Sequence, residues 1–187
     1  TPKDIQRQQI QSNNGVNLLQ NEQSMSLRFC NLGLGDSRAV QQIFANRDLR
    51  QFGKLLMYIH AENNIKTPNS IKDGDLNAVI RVGTDFAGNY YEVRIPLRMT
   101  DLDADDRLGP NTDAYNDSLW NPFNSLDLDL KILPKLKASR NGSGAPLNVP
   151  YQQLQPNGHT YSIMGDPNLG EVRGILIAIE NVKNPNA

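Results

Sequence analysis

The chain reads as an all-β protein with short helices, a two-sheet antiparallel β-sandwich, and three observations lead there. Several segments carry the two-residue apolar period of a strand: Leu55, Met57, Ile59 and Ala61 share one face of the stretch 48–62, and Tyr91, Val93, Ile95 and Leu97 share one face of 90–97. The second of these follows 78–85 across Asp85-Phe86-Ala87-Gly88-Asn89, which places Gly and Asn where a chain must reverse, so the two form a hairpin. A late segment, 174–180, is apolar on both faces and belongs inside a sheet, not at its edge. Strands that are apolar on one side and mixed on the other need a second layer over the apolar side.

At 187 residues, with no shift in composition, the chain suits one well-buried core. Residues 22–187 are read as a single β-sandwich domain. Residues 1–21, polar and rich in Gln and Asn, are read as a flexible or edge-pairing N-terminal segment. A net charge of -1, with Lys and Arg scattered singly, excludes a nucleic-acid surface, which needs a basic patch to neutralise phosphates. No apolar run approaches the roughly 20 residues that span a bilayer as a helix. Cys30 is the one cysteine, so there is no intrachain disulfide; closing an alternating segment, it is expected to be a small buried apolar residue. The sequence opens at Thr1 with no charged-then-apolar leader, which suggests a piece of a larger or processed protein.

In chain order, Ser24–Phe29 alternates and predicts a first strand with Met25, Leu27 and Phe29 inward. Gly33-Leu34-Gly35-Asp36 lacks the third glycine and the βαβ context of a dinucleotide loop. Asp36 or Ser37 is placed to cap a short helix over 38–44, with Val40, Ile43 and Phe44 at helical spacing. Thr100–Leu119 is an acidic loop. Its Asp101-x-Asp103-x-Asp105 matches the opening of many calcium loops, where alternate oxygens converge on a hard cation, but the glycine and distal Glu of the EF-hand are missing. A solvated loop and a structural calcium site both fit. Leu126–Leu130 alternates again, 131–138 reads as a short helix spoiled by Pro134, 140–146 as an exposed loop, and 160–164 as a strand.

Little catalytic chemistry is on offer. Only His60 and His159 are available as neutral-pH bases, no Gly-x-Ser-x-Gly elbow occurs, and two His with one Cys are too few for the common zinc sites. Glu62, Asp85 and Glu92 are candidates for a paired-carboxylate glycosidase, with Tyr90, Tyr91 or Trp120 to stack on a sugar, yet Glu92 alternates with buried positions as any outward strand residue does. The sequence therefore assigns no catalytic, cofactor-binding or metal-ligating residue and points to a non-enzyme. A carbohydrate-binding module is the alternative, and the discriminator is whether Tyr90, Tyr91 and Trp120 lie exposed around a groove or buried. The register puts Tyr91 inward and Tyr90 outward, so Tyr91→Asp is expected to unfold the domain and Tyr90→Asp to cost little.

Several segments resemble one family: Asn21-Glu22-Gln23-Ser24-Met25-Ser26-Leu27-Arg28, Gly35-Asp36-Ser37-Arg38-Ala39-Val40, Asp48-Leu49-Arg50 with Leu56-Met57-Tyr58-Ile59-His60-Ala61-Glu62, Gly83-Thr84-Asp85, Asn89-Tyr90-Tyr91-Glu92-Val93-Arg94-Ile95-Pro96-Leu97, and Gly165-Asp166-Pro167-Asn168-Leu169-Gly170-Glu171-Val172-Arg173. In order and spacing these are similar to the SprA/Sov proteins of Bacteroidota, very large outer-membrane proteins of the type IX secretion system associated with gliding motility. The resemblance implies a domain inserted in or attached to a giant transmembrane β-barrel that passes folded cargo, facing either the cell surface or the periplasm. Its implied partners are other parts of the parent protein, secreted cargo or partner subunits. The family assigns no catalytic residues, and the acidic loop Asp101–Asp117 departs from its pattern. The succession of strands also resembles galactose-binding-like jelly rolls, the fold of many carbohydrate-binding modules; fold analogy does not fix function.

Overall fold

The computed structural model describes residues 2, 5, 9–11, 17–19, 24–63, 71–100, 107–109 and 112–183. Its strands are β1 (Gln9–Gln11), β2 (Asn17–Leu19), β3 (Ser37–Arg47), β4 (Lys54–Met57), β5 (Leu76–Gly83), β6 (Tyr90–Pro96), β7 (Leu126–Asp129), β8 (Tyr151–Leu154), β9 (Thr160–Met164) and β10 (Val172–Asn181); its helices are α1 (Asp113–Leu119) and α2 (Ile132–Ser143). Strand pairs among the described residues are antiparallel: a six-stranded sheet in the order β3-β10-β5-β6-β9-β8, a β4-β7 ladder, and a β1-β2 hairpin.

The β5-β6 hairpin forms as its alternation requires. Val82 faces Tyr91, Ile80 faces Val93 and Ala78 faces Ile95, so the apolar residues of both strands fall on one face. β10 sets Ile175, Ile177 and Ile179 beside Val82, Ile80 and Ala78, and β9 sets Ile163 and Tyr161 beside Tyr91 and Val93. That face is the core. Leu126, Leu128 and Leu130 from β7 and its turn, with Leu133 and Leu136 of α2, complete it. Leu55, Met57, Ile59 and Ala61 pack against it as their shared face predicts, although the strand itself stops at Met57. Among the described residues the chain is thus mostly antiparallel β with short helices, the larger sheet covered on its apolar side by a ladder and a helix. β10 lies between β3 and β5, inside the sheet where its two apolar faces put it.

Five expectations need correction. Ser24–Phe29 is not a strand: Met25 is 59% exposed, and alternation without a ladder partner makes no sheet. Cys30 at its end is exposed, not buried. The helix expected over 38–44 is instead part of β3, because pairing with β10, Val40 to Ile177 and Gln42 to Ile175, outweighs the helical spacing of Val40, Ile43 and Phe44. Pro134 does not spoil a helix: it sits in the first turn of α2, where its missing N–H would have had no helical acceptor, and α2 runs 12 residues to Ser143. As a result Arg140 belongs to α2 and is buried, so 140–146 is not simply an exposed loop; Gly144, at φ +70°, ends the helix in the left-handed conformation that glycine adopts without strain.

Part of the acidic loop is helical. Thr112 caps α1 through its hydroxyl, which accepts the Tyr115 N–H at 3.1 Å. Asp101, Asp103 and Asp105 lie outside the described residues.

Candidate functional site

Segments separate along the chain meet at the tip of the β5-β6 hairpin. Asp85 Oδ1 accepts the N–H groups of Ala87 at 2.9 Å, Gly88 at 2.5 Å and Asn89 at 3.0 Å, while Oδ2 accepts Asn89 Nδ2 at 2.9 Å. The Gly88 N–H and the Asn89 amide foremost hold the Asp85 carboxyl down to about 2. Asn89 Oδ1 in turn accepts the Asp166 N–H at 3.0 Å. Gly165, at φ +65°, brings its Cα so close to the Gly88 carbonyl that a Cβ would overlap it. The buried Arg140 donates to the Gly165 carbonyl and, through Nη2, to Asn141 Oδ1 at 2.9 Å. Asp166 closes the cluster onto Lys137 at 2.7 Å, and that ammonium lowers its pKa.

A second junction joins 48–50 to 168–170. Leu49 N–H donates to the Leu169 carbonyl at 2.7 Å, and the Arg50 guanidinium, held by Asp48 at 2.7 Å, lies over Gly170 where a Cβ would collide with it. At these two junctions the motif segments tie loops to one another, with the side chains of Asp48, Asp85 and Asn89 bonded internally.

The face of the six-stranded sheet opposite the core carries a ladder of charges. Glu92 is 3% exposed, with Arg81 Nε at 2.5 Å from one oxygen and Arg94 Nε at 2.7 Å from the other; Arg94 Nη1 reaches Glu180 at 2.8 Å. Burial works against the charged form of Arg94, and the two glutamates outweigh it, raising its pKa. Arg81 also donates to the Phe86 carbonyl at 2.8 Å and stacks 4.3 Å from the Tyr90 ring centroid. Tyr90 is consequently buried on the outer face, a correction to its outward, freely replaceable reading. Tyr91 is inward as expected, and burial pushes its hydroxyl up to about 12.

The three candidate carboxylates are therefore engaged separately: Glu92 between two arginines, Asp85 in its turn, and Glu62 beside His60 at 3.7 Å. His159 is buried, its Nε2–H donating to the Phe123 carbonyl at 3.2 Å and its Nδ1 accepting Asn157 Nδ2 at 3.2 Å, and burial lowers its pKa. That imidazole is neutral and has both nitrogens occupied. Among the described residues, no three His, Cys, Asp or Glu side chains are grouped to hold a metal.

Beside β4 lies a groove of about 320 Å³ lined by Lys54, Tyr58, Trp120, Pro122 and Asp127, with Pro2 against it. Trp120 is half-buried, tilted on His60 with ring centroids 5.9 Å apart, and Lys54 bridges to Asp127 at 2.9 Å. Sequence reading missed Arg140, Asn89 and Asn124, whose buried amide clasps both the N–H and the carbonyl of Arg98 at 2.8 Å. The signal for the asparagines was their place in turns, where short amides satisfy backbone groups.

No helix among the described residues is long and apolar enough to cross a membrane. No curated protein matches the chain. A family model described as "Motility related/secretion protein" matches residues 1–187. The chain belongs to the SprA_N family of motility-related secretion proteins.

Proposed function

We propose that this is a non-catalytic domain of a SprA/Sov-like outer-membrane protein of the type IX secretion and gliding machinery of Bacteroidota, serving as a scaffold or interaction surface for cargo or partner subunits. The observation that carries the reading is the engagement of the motif residues: Asp85, Asn89 and Gly165 hold loops together, with Arg140 of α2 donating to the Gly165 carbonyl, and Glu92 is closed off by Arg81 and Arg94. Residues arranged this way support a rigid platform. The strand succession supports a finer likeness to a jelly-roll or galactose-binding sandwich, and family membership supports a place in the cell envelope, facing the periplasm or the surface. No cofactor is invoked.

A carbohydrate-binding role is the second reading. Burial of Tyr90 and Tyr91 speaks against it, and the groove bearing Trp120 and Tyr58 speaks for it. The test is capture from the detergent-solubilised envelope of a bacterium carrying the parent protein, with the immobilised domain as bait and Tyr91→Asp as unfolded control. Recovery of identified secretion components by the folded bait alone supports the interaction reading. Retention on a polysaccharide column without any such component transfers the assignment to glycan binding.

A further inference from the structure

The two edges of the six-stranded sheet differ. β8 is four residues long and follows directly on Pro150, which is how natural sheets blunt an edge. β3 spans 11 residues, about 36 Å at strand rise, and its outer side has no pairing strand among the described residues. Between Ala39 and Asn46 it carries no charge, no Pro and no Gly, and Ile43 is 63% exposed. From Ser37 to Ile43 its pairing with β10 is regular, and the register shifts only beyond, between Ile43 and Arg47, so the first part of this edge lacks both the bulge and the proline that guard other edges. The outward amides are identifiable. Asn181 N–H donates to Asp36 O at 3.0 Å, so alternation from that pair directs the main chains of Arg38, Val40 and Gln42 toward β10 and those of Ala39 and Gln41 away from it.

Charge selects the occupant. Arg38 and Arg47 lie near the two ends of β3, while the neighbouring acids are turned elsewhere, Asp48 onto Arg50 and Asp36 over Gly33. An antiparallel second copy of β3 would bring the Arg38 end of one strand to the Arg47 end of the other, like charge against like. We infer that the β3 edge takes up an extended polypeptide segment of alternating character with acidic residues at both ends, which adds a seventh strand to the sheet. This deepens the interaction reading above and rests on it: main-chain hydrogen bonds supply affinity, and the end charges supply register.

The probe is a synthetic peptide of 11 alternating Thr and Val residues with Glu replacing each terminal one, compared with the same peptide ending in Lys. Saturation with the Glu-ended peptide is expected to slow amide hydrogen exchange at Ala39 and Gln41 by about tenfold or more, and the Lys-ended peptide to do markedly less. Gln41→Pro removes one outward donor without touching the β10 ladder and is expected to abolish the effect, with β5 and β6 amides unchanged as the check on folding. Arg38→Glu with Arg47→Glu is expected to reverse the peptide preference. Unchanged exchange at Ala39 and Gln41, equal response to both peptides, or a free chain that dimerises through β3 would each overturn the inference. If Gln41→Pro still captures the envelope partners, the interaction reading stands and this surface is wrong.

Discussion

At the scale of single residues, polar groups that carry bonds and one that carries none make opposite forecasts. Asp85 accepts four bonds at the hairpin tip, so Asp85→Ala should cost about 1–2 kcal/mol in chemical denaturation. Its folded pKa lies below the unfolded one, so its contribution is present above pH 3.8 and fades as pH falls toward about 2; the Ala variant should lack that acid sensitivity. His159 works the same way at milder pH. Burial keeps it neutral in the fold, so protons favour the unfolded chain as pH drops below 6.5, and His159→Gln should flatten the melting temperature between pH 7 and about 5. Ser162, paired opposite Glu92 in β9, has a buried hydroxyl with no hydrogen-bond partner among the described residues. Ser162→Ala should be neutral or stabilising by up to about 1 kcal/mol, whereas Glu92→Ala, which leaves Arg81 without its carboxylate and Arg94 with Glu180 alone, should cost about 3 kcal/mol; denaturant midpoints measure both.

At the scale of elements, alternation was legible wherever a ladder partner was also strongly apolar. β5, β6, β9 and β10 were readable because Val, Ile and Tyr on one face meet their like across the sheet. β3 was not, since an edge strand has only one neighbour to enforce its pattern, and Val40, Ile43 and Phe44 fit a helical face equally well. Ser24–Phe29 failed the other way, with alternation present and no partner. α2 shows that the position of a proline outweighs its presence. Pro134 in the first turn is harmless, while Ala138→Pro, mid-helix, should cost about 3 kcal/mol or more. Far-ultraviolet circular dichroism melts would show that loss against a near-native Pro134→Ala.

At the scale of the whole molecule, the sequence disclosed a layered antiparallel β fold and the family, but not the division into a six-stranded sheet and a two-stranded ladder. That division depends on which short strands meet across long separations, as β4 and β7 do, and such pairing leaves no local periodic trace. The candidate site was illegible for a related reason: Asp85, Asn89, Gly165 and Arg140 are unremarkable one by one and become a unit only when 85–89, 140 and 165–166 are brought together. They hold the loops to one another. The most direct test is envelope capture by Glu92→Gln at a temperature where near-ultraviolet circular dichroism shows it folded. Capture of secretion components equal to wild type is the expected result; a fully folded Glu92→Gln domain that captures none would contradict the account, since the motif residue would then be acting on a partner and not on the fold.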